Sequence, residues 1–337
     1  MSPEDLAGIV AIVAIVAYTI FGGADFGGGI WTMLASGPRK EDQRDALERA
    51  IGPVWETNHV WLILLVVTLF VAFPAAYAAI FTALYVPLFL ALVGIVARGA
   101  AFAFRHYGDR ASRLSHISLR AFSMASVVTP FIFGLCVGAV TGGHISADGA
   151  NVSSGAFAGW LSPFAIMGGL IGLLLCAFLG AAYMIPRTEG LLRDDFRRRA
   201  LAASLALGVV TTAAIPVAGQ DAAEFYDRLA RASVVGGVGI TAIVGLGTLF
   251  AIWRGAVRLA PLLAAATASG VIVTWALAQR PNLIIPGLGL EAAAAPDITV
   301  KSFLIALPIG ALILVPSLGL LYHTFSRDVY RADTPGK

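Results

Sequence analysis

The chain has 337 residues, of which 58% are hydrophobic and only 13% are charged, and its mean hydropathy is +0.84. Soluble domains carry roughly 25% charged residues, so this chain lacks the charge to cover a water-exposed surface. The net charge of +3 is spread over separate loops and forms no single basic patch. The composition therefore excludes a soluble globular domain and gives no support for nucleic-acid binding.

The apolar residues fall in long blocks. A membrane-spanning helix needs about 20 largely apolar residues, and nine blocks of that kind follow one another along the chain. We therefore predict a single integral membrane domain over residues 1–337, an all-α polytopic protein with about nine transmembrane helices. The predicted helix limits, each uncertain by about 2–4 residues, are 6–33, 51–73, 76–97, 117–141, 159–185, 200–218, 233–253, 257–278 and 302–325.

The distribution of basic residues predicts the orientation. Cytoplasmic loops of membrane proteins carry an excess of Lys and Arg. With nine helices, all of the 23 basic residues except Arg228, Arg231, Arg280 and Lys301 fall in segments on one side of the membrane. This pattern predicts an N-terminus outside and a C-terminus in the cytoplasm.

Small residues at four-residue spacing predict close helix contacts. Such residues let helix backbones approach one another in a membrane. The spacing occurs at Gly168 and Gly172, and again at Ser233, Gly237, Thr241 and Gly245.

Two carboxylates lie where a bilayer disfavours charge. Asp25 stands late in the first helix, in a run of five glycines within eight residues, and Glu56 opens the second helix. With a rise of 1.5 Å per residue, Asp25 lies roughly 12 Å and Glu56 roughly 8 Å from the cytoplasmic helix ends. Both are therefore predicted in the cytoplasmic half, and the glycines allow a backbone or water to approach Asp25.

Residue chemistry leaves two interpretations of these carboxylates open. In one, Asp25 and Glu56 take up protons from the cytoplasm, since intramembrane carboxyl groups often mark ion paths. In the other, one of them forms a structural ion pair with Arg98, which lies on the same side together with Arg105.

The residues around Glu56 are candidate supporting groups. His59 could ligate a haem or a metal or relay protons, but without a second ligand nearby we interpret it as a hydrogen-bonded helix residue. Trp55 and Trp61 flank Glu56 and Asn58, and they either wall a polar slot or lie at the membrane interface. The sequence contains no metal-ligand cluster and no Ser/His/Asp arrangement, so we predict no metal site and no catalytic residue in this chain.

The same segments carry a family resemblance. The run Gly52-Pro53-Val54-Trp55-Glu56-Thr57-Asn58-His59-Val60-Trp61-Leu62-Ile63 is similar to the signature Gly-Pro-x-Trp-Asp/Glu-x-Asn-x-Val-Trp-Leu-Ile of subunit II of the cytochrome bd-type quinol oxidases. Ala24-Asp25-Phe26-Gly27 resembles the Gly-Phe-Asp-hydrophobe-Gly segment in helix 1 of that family. Further matches in the same order extend the resemblance to about residue 200.

The resemblance implies a nine-helix subunit packed against a subunit I of similar fold. In that family subunit I holds three haems, oxidises quinol and reduces dioxygen to water. Subunit II binds no haem, is a candidate to hold a structural quinone, and contributes an acidic proton path, here Asp25 and Glu56. The resemblance also implies the plasma membrane of a prokaryote, contact with lipid and quinone, and room for a small single-helix accessory subunit.

Three alternatives remain at this stage. The chain could be a scaffold whose carboxylates are purely structural, or its partner could handle quinol without reducing oxygen. It could also be a secondary transporter, because polar residues on glycine-broken helices suit one. A transporter would be expected to contain an internal repeat, and we find none in the sequence.

Overall fold

The computed structural model describes the backbone of residues 1–51, 58–107, 113–157 and 159–331, and the side chains of these residues except 51, 105–107 and 321–331. The described residues form helices and two short hairpins. The helices are α1 (Pro3–Met33), α2 (Lys40–Ile51), α3 (His59–Ala72), α4 (Pro74–Ala83), α5 (Tyr85–Tyr107), α6 (Arg113–Thr141), α7 (Pro163–Met184), α8 (Gly190–Asp221), α9 (Ala223–Leu229), α10 (Ala232–Arg254), α11 (Leu259–Gln279), α12 (Leu290–Ala293) and α13 (Asp297–Arg331). The antiparallel hairpins pair β1 (Ala147–Asp148) with β2 (Asn151–Val152), and β3 (Asn282–Ile284) with β4 (Leu288–Gly289).

The prediction of an all-α polytopic membrane protein is confirmed. Within the described ranges, eight helices are long and apolar enough to cross a membrane, or nine if α3 and α4 are counted as one bent span. The eight are α1, α5, α6, α7, α8, α10, α11 and α13.

The predicted span 76–97 is wrong in its position. The chain bends by 119° between α3 and α4, at Phe73, whose φ of −134° and ψ of 59° are not helical. Pro74 explains the break, because proline has no N–H and disfavours helical geometry in the residue before it. A second break at Leu84, with φ −111° and ψ 23°, separates α4 from α5, so the spanning helix begins at Tyr85.

Helix α8 is much longer than the predicted span 200–218. It begins at Gly190, so the arginine-rich segment that we placed in a loop is helical. Hydropathy marks only the apolar part of a helix, and a polar extension into water leaves no hydropathic signal. Helix α13 likewise extends beyond the predicted 302–325 at both ends.

The centre of the bundle is α7, which packs against α1, α6 and α8. Its residues Phe178, Leu179, Ala181 and Ala182 are completely buried. The predicted small-residue contacts are confirmed on two helix pairs. A Cβ on Gly168 would lie 2.5 Å from the Gly134 carbonyl oxygen of α6, and Thr241 of α10 contacts Thr274 of α11, with 3.2 Å between the hydroxyl oxygens.

The bundle has two ends of different character. We call the end formed by α2, the start of α8 and the α10–α11 turn the arginine end, since Arg39, Arg199 and Arg254 lie there. We call the opposite end, with both hairpins, α9 and α12, the cap end. At the cap end the hairpins are attached to the helices by backbone hydrogen bonds, for example from Ile285 N–H to the Val140 carbonyl at 2.9 Å.

Candidate functional site

Asp25 is a buried carboxylate on α1. Its exposed fraction is 6%, and it accepts a hydrogen bond from the side-chain amide of Asn58, the residue just before α3. A buried carboxylate needs hydrogen-bond donors to offset the loss of water. The α1–α3 contact is therefore built around a polar pair, which explains why Asn58 is itself only 3% exposed.

Arg98 lies beside this pair and is one of the most deeply buried side chains, at 2% exposure. Its Nε donates to the Ser126 hydroxyl of α6 at 3.1 Å. Its guanidinium carbon lies 4.9 Å from the ring centres of both Phe26 and Phe122. Two aromatic faces thus hold the cation, and Nη2 has no hydrogen-bond partner within the described chain.

The structure gives no direct ion pair between Asp25 and Arg98. Among the described side chains, the ion pairs within 4.0 Å involve neither residue, although the two charges interact at longer range. The interpretation of Asp25 as one half of a tight structural ion pair with Arg98 is therefore wrong for this carboxylate. The described hydrogen-bond donor to Asp25 is the side-chain amide of Asn58.

His59 and Trp61 each pair with an aromatic residue of α1. The His59 Nδ1 atom lies 3.4 Å from the Tyr18 hydroxyl, and the Trp61 ring stacks on Phe21 with 6.2 Å between ring centres. The prediction that His59 is a hydrogen-bonded helix residue is confirmed. Sequence reasoning missed Tyr18, which lies seven residues before Asp25 and therefore on the same face of α1.

Three predicted site residues are not described. Glu56 and Trp55 lie outside the described residues, and so does the side chain of Arg105. The structure therefore brings together Asp25, Asn58 and Arg98, with His59 and Trp61 beside them.

A cavity of about 320 Å³ leads to Asp25 from the arginine end. One wall comes from α1 and Asn58, and the wall opposite comes from the end of α7. Leu47 and Ala50 of α2 and Arg187 lie at the arginine end of this cavity. Gly28 of α1 and Gly180 of α7 also line it. Asp25 is thus buried within the protein but in contact with a space that reaches the end of the bundle.

A polar cluster fixes α2 beside the cavity. Arg39 donates two hydrogen bonds to the Asp195 carboxylate of α8, at 2.9 and 2.6 Å. Gln43 donates to Asp195 at 2.9 Å and accepts from Arg199 at 2.6 Å. The hydrogen bonds to Asp195 raise the pKa of Arg39. No local sequence signal marks this cluster, because its two halves lie more than 150 residues apart.

The described residues offer no metal centre. Within the part of the chain that is described, no group of three or more His, Cys, Asp or Glu side chains is placed to hold a metal ion. Cys136 and Cys176 are buried and unlinked.

Comparison with known proteins agrees with the architecture. The family model described as cytochrome bd terminal oxidase subunit II matches residues 4–325. The chain is 31% identical over 225 residues to cytochrome bd ubiquinol oxidase subunit 2 of Bacillus subtilis, covering 66% of this chain and 63% of that protein. It is 29% identical over 196 residues to cytochrome bd-I ubiquinol oxidase subunit 2 of Escherichia coli, covering 57% and 51% respectively.

The matched region thus spans between 51% and 63% of the length of these two curated relatives. A solved structure of bd oxidase from Geobacillus thermodenitrificans has a TM-score of 0.79 and 21% identity, covering 96% of this chain and 99% of that chain. That likeness shows a shared fold. The family model matches residues 4–325, which is nearly the whole chain, so the chain belongs to the cytochrome bd terminal oxidase subunit II family.

Proposed function

We propose that this chain is the haem-free subunit II of a quinol:oxygen oxidoreductase in the plasma membrane of a prokaryote. In this proposal it supports a haem-bearing subunit I, and Asp25 and Glu56 belong to a proton-uptake path from the cytoplasm. Family membership supports the first part. The observation that carries the second is the contact between the buried Asp25 carboxylate and a cavity reaching the arginine end.

The cavity is large enough for a file of water molecules. Since a water molecule occupies about 30 Å³ in the liquid, 320 Å³ corresponds to roughly ten waters. Protons move along hydrogen-bonded water, and a carboxyl group at the end of such a file can take up and release them. Asp25 is the described carboxylate at that position, and Asn58 holds its side chain in place.

The two ends of the bundle support an orientation with the arginine end in the cytoplasm. Arg39, Arg197 and Arg199 are brought together at this end by contacts among α2, α8 and the end of α10. The cap end holds Arg228 and Arg231, which were predicted outside, and Arg280, which forms an ion pair with Asp5 at 2.6 Å. By the positive-inside rule, this distribution of arginines supports a cavity mouth on the cytoplasmic side.

Helix α13 supports the proposal of a partner subunit. None of its most apolar 18-residue window is buried within this chain, and its aliphatic side chains Ile305, Ile309, Leu312 and Ile313 are 60–76% exposed. A spanning helix with so little contact to its own bundle is free to pack against another chain. The members of this family are subunits of an oxidase. We therefore propose that the haem-bearing subunit I packs against this face of α13.

The side chains of this chain that could ligate haem iron support a location of the haems in the partner subunit. Haem iron needs an axial ligand such as an unengaged imidazole or thiolate. His59, the histidine inside the described part of the bundle, is directed at Tyr18, and the described cysteines are buried in helix contacts. This chain therefore supplies protein contacts and a proton path, and we assign no quinone-binding residue to it.

Substitution of Asp25 in the purified complex tests the proposal. We expect Asp25→Asn to lower quinol oxidase turnover by about 100-fold, the usual scale for loss of a proton-transferring group, with the haem spectrum unchanged. Glu56→Gln should act in the same way. Asp45→Asn, on the exposed face of α2, is the matched control and should keep full turnover.

The outcomes separate the alternatives. Full turnover in Asp25→Asn would exclude the proton path. Loss of assembled haem in parallel with turnover would instead indicate a structural scaffold. Purification of this chain without a haem-bearing partner, together with transport activity, would favour a transporter.

A further inference from the structure

The proposed path ends at Asp25, and the structure contains a second polar pair next to it. Asn58 and His59 are consecutive residues at the start of α3, and each contacts a different residue of α1. Asn58 binds Asp25, and the His59 Nδ1 atom lies 3.4 Å from the Tyr18 hydroxyl. Tyr18 precedes Asp25 by two helical turns, roughly 10 Å along α1, so the two pairs form successive steps on one helix face.

The second pair lies nearer the surface of the bundle. Tyr18 and His59 are half-buried, whereas Asp25 and Asn58 are buried. The neighbouring Phe21 is 40% exposed. A partly exposed imidazole within a membrane bundle is unfavourable against lipid, which favours a polar neighbour from another chain at this point.

The side chains of the pair suit proton transfer. A tyrosine hydroxyl both donates and accepts, and an imidazole can accept a proton at one nitrogen while releasing one from the other. Asn58 cannot replace them, because an amide does not exchange protons in this way. Within the described part of the chain, the charged and titratable groups that interact electrostatically with the pair are Arg98, Asp25 and Cys176.

We propose that Tyr18 and His59 form the exit step of the path, carrying protons from Asp25 to the surface that faces the partner subunit. This inference rests on the proposed function. A proton released by the Asp25 carboxyl group passes through water to the Tyr18 oxygen. The hydroxyl's own proton moves to His59 Nδ1, and the proton on Nε2 leaves for a carboxylate or a water of the partner.

The step is balanced in protons, since one enters at the tyrosine oxygen and one leaves at Nε2. The starting tautomer of His59 returns when Nε2 takes up one proton from water and Nδ1 releases one to water, an exchange that leaves the number of protons unchanged. Tyr18 and His59 thus act on protons only, and no electron or covalent bond to substrate is involved.

The test compares Tyr18→Phe and His59→Gln in the purified complex, with Asp25→Asn measured in parallel. Tyr18→Phe is the sharper variant, because it keeps the ring contacts with Phe26 and Phe133 and removes only the hydroxyl. We expect each substitution to lower turnover by about 100-fold, to leave the haem spectrum unchanged, and to increase the solvent deuterium isotope effect. Tyr226→Phe and His116→Gln, at exposed positions, are the matched controls.

Two results would overturn this exit step while leaving the proposed function in place. One is loss of turnover in Asp25→Asn with full turnover in Tyr18→Phe and His59→Gln. The other is loss of haem in proportion to turnover in both variants, because removing a purely structural contact would reduce the amount of assembled complex. If Asp25→Asn itself kept full turnover, the proposed proton-uptake path would be contradicted, and the exit step with it.

Discussion

Gly27, two residues after Asp25, shows how a single position controls the approach of two helices. A Cβ at Gly27 would lie 2.1 Å from the Cys176 carbonyl oxygen and 2.7 Å from the Gly180 Cα, both on α7. These are backbone atoms, which cannot move aside as a flexible side chain can. The glycine run around Asp25 was predicted to admit another backbone, and at Gly27 this is confirmed.

Gly27→Ala should therefore destabilise the protein. Overpacking of a well-packed core costs about 1–3 kcal/mol, and we expect a value near the upper limit because both opposing groups are backbone. The free energy of unfolding, or the thermal midpoint of the protein in detergent, measures the effect. Gly208→Ala on α8 is the control, because nothing lies within 4 Å of its Cβ; an equal loss there would contradict the packing argument.

At the scale of elements, the position of α2 depends on α8. The helix is short and follows the turn after α1, and Ala46 and Leu47 on its inner face are buried. Arg39 and Gln43 join it to Asp195, and Arg199 completes the cluster through Gln43. Since Leu47 and Ala50 line the cavity, this cluster also shapes the route to Asp25.

Asp195→Asn should loosen α2 without unfolding the bundle. Losing the charge removes a two-point contact with Arg39, and partly exposed ion pairs of this type change local stability modestly. We expect amide hydrogen exchange in α2 to accelerate by about twofold to fivefold. Exchange in α10 should stay unchanged and serves as the internal control.

High salt should reduce the difference between the variant and the parent protein, because salt screens exposed charges. Unchanged exchange in α2 would show that its buried face alone holds it in place.

At the scale of the whole molecule, the distribution of charge between the two ends predicts its orientation. We expect Asp148→Cys, on an exposed hairpin of the cap end, to react with a membrane-impermeant maleimide in intact cells. Asp42→Cys, on the exposed face of α2 at the arginine end, should react only after permeabilisation. Both native cysteines are buried, so the parent protein gives a low background.

The opposite labelling pattern would show that the protein has the reverse orientation in the membrane, with the cavity mouth outside. The proposed path would then take up protons from outside the cell and not from the cytoplasm. This experiment therefore tests the direction of the path separately from the chemistry of Asp25.

The sequence by itself determined the properties that depend on local composition. Long apolar blocks have no stable alternative to helices in a membrane, so the fold class and most spans follow from hydropathy. The glycine run and the spaced small residues predicted close packing, because only small residues permit it. Asp25 was identified from the sequence since an intramembrane carboxylate is costly wherever its partner lies.

The tertiary structure alone decided which groups meet. It paired Asp25 with Asn58 and placed Arg98 between two aromatic rings. It also joined Arg39 to Asp195 across 156 residues. Such contacts depend on the relative rotation and depth of separate helices, which neither hydropathy nor local spacing encodes. Likewise, Pro74 accounts for a break between α3 and α4, whereas the 119° angle between them is known only from the tertiary structure.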